Sequence, residues 1–417
     1  MVVAASKKTW TPFISSAPGK AILFGEHAVV YGKPAVAASV DMRAYALVTP
    51  RHDGLMHLVF PDISVDTVIR SSDIPSKEQT EVLLHPGDVA ELLPPSLLKP
   101  EGAGRTAVMT FMFLCSALLT QQHREQGFSI CVRSLLPVGA GLGSSAAFNI
   151  ALASALLRLN GLVDRADSTE ERELVNKWAF KGEQVAHGTP SGIDNSVATF
   201  GGFLQYTKGT APVQLGSAHY LRVLICDTRV PKSTKALVAG VRVLRDAHPD
   251  AIDSVMDAIG SISLTAARMF RNARTPADAL QNHLADAVRL NHALLVALGV
   301  SHPSLERVRD VAAAHSMPAK LTGAGGGGCA LALIPPSATD GDIESVIREL
   351  SVEGIRCYPT VIGGCGVKIT DAIAGKSVVA WLERKNMTGN LCSISNNDFA
   401  LAIARFASMP SADFGAI

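Results

Sequence analysis

The sequence has almost no net charge and few aromatic side chains. At pH 7 its formal net charge is +1, from 38 Lys and Arg against 37 Asp and Glu. Nucleic acids and anionic membrane surfaces attract proteins through an excess of basic groups, so this balance argues against both as partners. Aromatic residues make up only 5% of the chain, but hydrophobic residues make up 47%, which is enough for a globular core. At 417 residues the chain exceeds one typical core, and we expect two domains.

Paired cysteines and long apolar runs are also missing. The 7 cysteines are scattered and none forms a CxxC pair, which favours reduced thiols in an intracellular protein. The most apolar stretch, residues 146–157, is interrupted by Asn149 and ends at Arg158. It is shorter than the roughly 20 residues that span a bilayer. We therefore expect no membrane segment and a cytoplasmic location, with peroxisomal association left open.

Two common nucleotide-binding motifs are absent. The chain has no GxxxxGK[ST] pattern, and no GxGxxG follows a strand and leads to an acidic residue. P-loop and Rossmann nucleotide sites therefore lose support.

A different glycine-rich stretch is present at residues 137–147. Gly139, Gly141 and Gly143 alternate with small or apolar residues, and Ser144 and Ser145 then open an alanine-rich run. Glycine permits positive φ and close approach of a ligand, while the serines are good N-cap residues for a helix over residues 146–157. A helix N-terminus that follows such a loop favours an anion such as phosphate. The structural alternative is a tight loop before a buried helix.

Charged residues surround the first predicted strand, residues 21–24. Lys20 precedes this apolar run, and Glu26 and His27 follow it. Charges at the ends of a strand are commonly solvated. The functional alternative is an inward-facing lysine beside a Glu–His pair.

Two carboxylates lie on either side of a glycine turn in residues 182–195. Glu183 is expected near a helix end, and Asp194 begins the next element after Gly188 to Gly192. Such carboxylates can converge on a metal ion or on a reacting hydroxyl. The structural alternative makes Asp194 a helix cap and Glu183 a surface charge.

The second half of the chain has a second glycine run. Four amphipathic helices are predicted near residues 232–246, 251–272, 276–298 and 303–315, after a domain boundary near Asp227. Residues 323–328 are glycine except Ala324, which suggests a backbone that approaches a ligand closely. A strand, a helix and a strand are expected next, at residues 329–334, 342–350 and 357–362, which is typical of an α/β sandwich.

Glycine loops, a lysine and two carboxylates together are what phosphoryl transfer needs. In order and content, residues 17–32, 137–146 and 320–329 resemble the three motifs of the GHMP kinase superfamily. Within it, residues 20–30 are most similar to the mevalonate kinase family. The resemblance runs over residues 16–370. It implies an α+β, two-domain GHMP kinase fold. Residues 1–226 would form an N-terminal, ribosomal protein S5 domain 2-like domain with the ATP-binding loop. Residues 227–375 would form a C-terminal, ferredoxin-like α/β sandwich, and 376–417 an uncovered tail.

The resemblance also implies roles for single residues. Asp194 would orient or deprotonate the substrate hydroxyl, and Lys20 would keep Asp194 ionised and stabilise the transferred phosphoryl group. Mg²⁺ would be held by Ser145 and Glu183. The mevalonate site would comprise Glu26, His27, Thr189 and Tyr206. The ATP site would comprise Ser134, Gly139, Ala140, Gly141, Leu142, Gly143, Ser144, Ser145, Gly325 and Gly326.

The implied reaction is ATP-dependent phosphorylation of (R)-mevalonate to (R)-5-phosphomevalonate, in isoprenoid and sterol biosynthesis, by an enzyme that could form a homodimer. The alternatives are another GHMP kinase, acting on a sugar or homoserine, and a catalytically dead ligand sensor. Two positions depart from the family pattern. Lys232 stands where Arg is expected, and Asp62 stands where Asn is expected near the adenine. These departures bear on nucleotide affinity and feedback inhibition.

Overall fold

The computed structural model describes residues 10–371 except 84, 138, 189, 217–219 and 273. The predicted tail, residues 376–417, lies outside the described residues. The helices in this range are α1 (Lys77–Glu81), α2 (Gly102–Leu118), α3 (Gln121–Gln126), α4 (Ser144–Leu159), α5 (Thr169–His187), α6 (Ile193–Phe200), α7 (Thr234–Ala247), α8 (Pro249–Arg271), α9 (Ala277–Ala297), α10 (Pro303–Ala314) and α11 (Asp340–Val352). The strands are β1 (Phe13–Phe24), β2 (Ala35–Pro50), β3 (Leu55–Phe60), β4 (Val65–Arg70), β5 (Phe128–Ser134), β6 (Phe203–Tyr206), β7 (Val213–Gln214), β8 (Leu221–Asp227), β9 (Ala319–Leu321), β10 (Cys329–Leu333), β11 (Arg356–Ile362) and β12 (Lys368–Asp371).

The described strands form one mixed sheet around the long strand β2. Its main path runs β4-β3-β5-β2-β11-β8-β10-β9, and β1 pairs with both β2 and β12. The sheet crosses the boundary expected near Asp227, since β11 pairs with β2 on one side and with β8 on the other. This α+β arrangement agrees with the expected fold class. The domain limits stay a prediction.

Strand β1 is longer than its apolar run predicts. It covers Phe13–Phe24, although Pro18 and Gly19 are turn signals in the sequence. The pairing of β1 with β2 shifts register between these two residues, so the signal marks an irregularity inside the strand. A Cβ at Gly19 would lie 2.8 Å from the Leu142 carbonyl oxygen. Glycine is therefore required where the loop before α4 crosses β1.

Helix α4 begins as expected, but its cap differs from the prediction. The N-cap residue is Gly143, with φ of 73°, and Ser144 is the first helical residue. The assignment of Ser144 and Ser145 as N-caps is wrong because the left-handed turn that only glycine adopts easily comes one residue earlier. Most of the helix is buried, and it contacts β1 and β2. This packing fixes the N-terminus of α4 beside Lys20.

The four amphipathic helices predicted in the second half are α7 to α10. The strand, helix and strand that follow the glycine run are β10, α11 and β11. Both strands pair antiparallel with β8, which lies between them. No helix among the described residues is long and apolar enough to cross a membrane.

Candidate active site

Lys20 and Asp194 form an ion pair at the N-terminus of α4. Lys20 lies in β1 and Asp194 in the first turn of α6, and their Nζ and Oδ1 atoms are 3.1 Å apart. A Cβ at Gly143 would lie 2.9 Å from Lys20 Cγ and 3.7 Å from Asp194 Oδ2. The glycine loop therefore passes directly over the pair, as three segments distant in sequence meet at one point.

The loop before α4 has the backbone geometry that its glycines predicted. Gly139, Gly141 and Gly143 have φ of 77°, 84° and 73°. The backbone N–H of Lys20 donates to the Leu142 carbonyl at 2.8 Å, which fastens the loop to β1. The first N–H groups of α4 lack partners within the helix, so this end can accept an anion.

Glu183 lies close to the ion pair and is buried. It is in the last turns of α5 and is 6% exposed. Burial, followed by the nearby charge of Asp194, raises the pKa of Glu183 to about 7, and Lys20 acts in the opposite direction. With its amide nitrogen turned toward Glu183, Asn195 donates to that carboxylate and accepts from the Phe180 N–H at 3.0 Å. Glu183 and Asp194 are thus electrostatic neighbours, and Glu183 is not a surface charge.

The structure places Glu26 and His27 below the surface. Glu26 is 1% exposed and pairs with the ammonium of Lys320. His27 has φ of 60°, is 5% exposed, and its Nε2 donates to the Ala324 carbonyl at 2.8 Å. Burial lowers the pKa of His27, while that hydrogen bond and Glu26 oppose the change. Both residues are therefore tied to the second glycine run.

That glycine run packs against protein atoms. Gly325 to Gly328 all have positive φ. A Cβ at Gly325 would overlap the Val300 carbonyl oxygen, and one at Gly327 would lie 2.7 Å from the Val230 carbonyl oxygen. The glycine content of the run predicts close approach by a ligand, but close contact with neighbouring backbone already requires glycine there. The nucleotide contacts expected of Gly325 and Gly326 stay a prediction.

Lys232 is a functional candidate that the sequence analysis treated only as a departure from the family pattern. Its Nζ is buried and has no hydrogen-bond partner among the described residues. A Cβ at Gly141 would lie 3.0 Å from this Nζ, and Gly328 faces it from the other glycine run. Burial lowers the pKa of Lys232, and Lys20 adds to the effect. An unpaired ammonium between two glycine segments could have been suspected only if the two segments were known to meet.

A cavity of about 400 Å³ opens beside the loop. Phe60, Ile63 and Phe148 supply apolar walls, and Gly139 and Ser145 line the end nearest α4. Ser134 and Asp62 line it as well. The Asp62 carboxylate accepts from the Ser134 N–H at 2.8 Å and from Arg133 Nη2 at 3.2 Å. The predicted nucleotide residues Ser134, Gly139, Ser144 and Ser145 therefore share one cavity.

Two predicted substrate residues have no described contact with the residues above. Thr189 lies outside the described residues. Tyr206 ends β6, where it faces Ala35 of β2 in the pairing. Their roles stay predictions, as do the ligand contacts of the other site residues.

Comparison with known proteins identifies relatives over nearly the whole described range. The family model for the GHMP kinases N terminal domain matches residues 110–202, and that for GHMP kinases C terminal matches residues 277–354. Mevalonate kinase of Candida albicans is 38% identical over 388 residues, which covers 86% of this chain and 90% of the relative. Mevalonate kinase of Homo sapiens is 38% identical over 375 residues, with coverages of 86% and 94%. The crystal structure of Methanococcus jannaschii mevalonate kinase aligns with a TM-score of 0.64 at 24% identity, covering 83% of this chain and 97% of that one. The crystal structure of L. major mevalonate kinase in complex with R-mevalonate aligns with a TM-score of 0.64 at 23% identity, covering 87% of this chain and 98% of that one.

Proposed function

Because the chain belongs to the mevalonate kinase family of the GHMP kinases, we propose that it transfers the γ-phosphoryl group of ATP to (R)-mevalonate. The products are ADP and (R)-5-phosphomevalonate, which serves isoprenoid and sterol biosynthesis. The observation that carries the proposal is the Lys20–Asp194 ion pair under Gly143, at the N-terminus of α4. A cytoplasmic location and a homodimer belong to the same proposal.

Asp194 acts as the general base in this mechanism. Its carboxylate is about one-third exposed, so it can reach a substrate hydroxyl. As the hydroxyl oxygen forms its bond to the γ-phosphorus, the bond from that phosphorus to the bridging oxygen of ADP breaks, and Asp194 accepts the hydroxyl proton. Lys20 stays paired with Asp194 and contributes positive charge near the phosphoryl oxygens.

The phosphates would lie along the first glycine loop. The backbone there has no side chain at Gly139, Gly141 or Gly143, and the free N–H groups of α4 begin directly after it. The ammonium of Lys232 also lies next to Gly141. An anion bound between them would give this buried charge the partner it lacks among the described residues.

The donors near Asp194 fit Mg²⁺. Among the described residues no group of three His, Cys, Asp or Glu side chains could hold a metal by itself. Kinases do not need such a group, since Mg²⁺ is bound by one or two carboxylates together with substrate phosphates. Glu183 supplies a buried carboxylate. Burial and the charge of Asp194 both disfavour its ionised form, as expected at a site that a cation completes. Ser145 supplies a hydroxyl. When bound, the ion would neutralise phosphate charge.

The cavity of about 400 Å³ has the size and lining expected for a nucleobase. It is mainly apolar and continues to the N-terminus of α4, where the phosphates would lie. Mevalonate would then occupy the side of Asp194 toward His27, with Thr189 and Tyr206 as further predicted contacts.

A substrate panel tests the proposal. ADP release with MgATP would be measured in a coupled assay with mevalonate, phosphomevalonate, galactose and homoserine. We expect turnover with mevalonate at least 100-fold above the others, because a site that hydrogen-bonds its substrate discriminates strongly against analogues. Preference for galactose or homoserine would place the chain elsewhere in the superfamily, and ligand binding without turnover would make it a sensor.

A further inference from the structure

A buried polar cluster follows the strand that carries Lys20 and is separate from the Lys20–Asp194 pair. It consists of Glu26, which follows β1, Lys320 of β9 and Asn291 of α9, each no more than 1% exposed. Lys320 Nζ donates to Glu26 Oε1 and, at 2.6 Å, to the Leu321 carbonyl. Asn291 Nδ2 donates to Glu26 Oε2 at 3.1 Å. Both carboxylate oxygens of Glu26 are thus engaged inside the protein.

This arrangement favours an indirect role for Glu26 over direct contact with a substrate. The side chain is 0% exposed, and the ammonium that neutralises it is 1% exposed. Removing two charges from water is costly, and the cost is offset only when the groups are well paired and hydrogen-bonded. Burial lowers the pKa of Lys320, and Glu26 counteracts this effect. A buried ion pair of this kind contributes little net stability because of its desolvation cost. We therefore consider which neighbouring segments it positions.

Its location shows what it can hold. Glu26 directly precedes His27, whose ring donates to the Ala324 carbonyl of the glycine run. Lys320 lies two residues before Thr322, whose hydroxyl donates to the Ile22 carbonyl at 2.9 Å and accepts from the Ile22 N–H at 3.2 Å. The cluster therefore joins the end of β1, the start of the glycine run and helix α9.

We infer that Glu26, Lys320 and Asn291 form a positioning cluster for the alcohol substrate. Glu26 acts through its neighbour. The cluster fixes the positive-φ backbone of His27 and the position of residues 322–324, near the side of Asp194 where the proposed function places the substrate. This inference rests on the proposed function. It replaces the substrate contact predicted for Glu26 with an indirect role. It also gives a role to Lys320, which was so far only the first residue of the third motif, and to Asn291, which lies outside the motifs.

The first test uses Asn291→Leu, which keeps the branched side-chain shape, removes the amide donor and leaves the Glu26–Lys320 ion pair intact. We expect the KM for the alcohol substrate to rise about tenfold, while the KM for ATP and kcat change less than twofold. Leu290→Ala is the matched control, since Leu290 is on the same helix and 58% exposed. The control should leave all three parameters unchanged.

The second test removes both charges together in Glu26→Gln/Lys320→Met. Lys320→Met alone leaves an uncompensated buried carboxylate and should lower the Tm strongly, whereas the double variant should recover most of that loss. The KM for the alcohol should nevertheless stay raised in the double variant. Amide hydrogen exchange should be faster in both Asn291→Leu and the double variant. The amides to follow are those of Thr322, Gly326 and Gly328, which donate to the carbonyls of Cys329, Val300 and Val230 respectively.

The outcomes separate the possibilities. If Asn291→Leu and the double variant keep wild-type KM values, the cluster serves stability only and the inference is overturned. A raised KM for Glu26→Gln alone, with Asn291→Leu unchanged, would show direct substrate contact and also overturn it. The KM is measured on whichever alcohol the wild type phosphorylates, so failure of the mevalonate assignment is seen separately in the wild-type panel. Unchanged amide exchange in all variants would contradict the positioning role for any substrate.

Discussion

At the scale of single residues, the site contains charges that the ligand-free protein holds at a cost. Glu183 is one of them, because its pKa is about 7 in the folded chain against 4.5 ordinarily. Between these values the folded protein keeps a proton that the unfolded chain has released. The free energy of unfolding therefore falls as pH rises through this window.

Glu183→Gln should remove that fall in stability. At pH 8 without ligands, we expect its free energy of unfolding to exceed that of the wild type by about 2 kcal/mol, allowing for partial solvation, and to equal it at pH 4. The same variant should need more Mg²⁺ for activity. Urea unfolding at both pH values checks the first point, with Glu173→Gln, an exposed position on α5, as control. A variant that is only as stable as the wild type at both pH values would show that Glu183 is not held ionised against burial.

Lys232 is the second residue of this kind. Its Nζ is buried without a hydrogen-bond partner among the described residues, so Lys232→Met should raise the Tm of the ligand-free protein. We expect the KM for ATP to rise at least tenfold in this variant, because a cation facing the glycine loop is lost. The exposed Lys235→Met on α7 is the control. A lower Tm together with an unchanged KM for ATP would make Lys232 a packing residue.

At the scale of elements, the sequence predicted most helices and strands from local patterns. Strands β10 and β11 lie within one residue of their predicted limits, and the four helices α7 to α10 were recognised from their amphipathic periodicity. The errors came where tertiary contact outweighs local preference. Pro18 and Gly19 read as a turn but lie inside β1, and Ser144 read as a cap although Gly143 occupies that position.

The glycine run offers a test at this scale, since its residues face protein atoms. Gly325→Ala should destabilise the fold because φ is +80° and a Cβ would overlap the Val300 carbonyl oxygen. Gly299→Ala has a similar φ of +70° with nothing within 4 Å, so it should show only the backbone cost of about 1 kcal/mol. We expect Gly325→Ala to lose at least 2 kcal/mol more than this control in thermal or urea unfolding. Equal losses would mean that Val300 yields and that the run is not set by packing.

At the scale of the whole molecule, the sequence identified the separate parts of the site but not how they meet. Lys20, Glu183 and Asp194 could be singled out because each adjoins a strand or a glycine turn. The buried Lys232 and the Glu26–Lys320 pair could not be recognised in the sequence. Lys232 and the glycines it faces, like Glu26 and Lys320, are more than 80 residues apart along the chain. The contacts depend on one sheet that carries β1, β2, β8 and β10 together.

The most direct test of phosphoryl transfer assisted by Asp194 is product formation in wild type and Asp194→Asn. Each protein would be incubated with MgATP and (R)-mevalonate, and the phosphomonoester product would be quantified by phosphorus NMR against time. We expect the wild type to form 5-phosphomevalonate in equal amount to ADP. Asp194→Asn should bind both substrates but form product about 10²- to 10⁴-fold more slowly, which is the usual contribution of a positioned base. ADP formation without phosphomevalonate in the wild type, or product formation at the wild-type rate in Asp194→Asn, would contradict this mechanism.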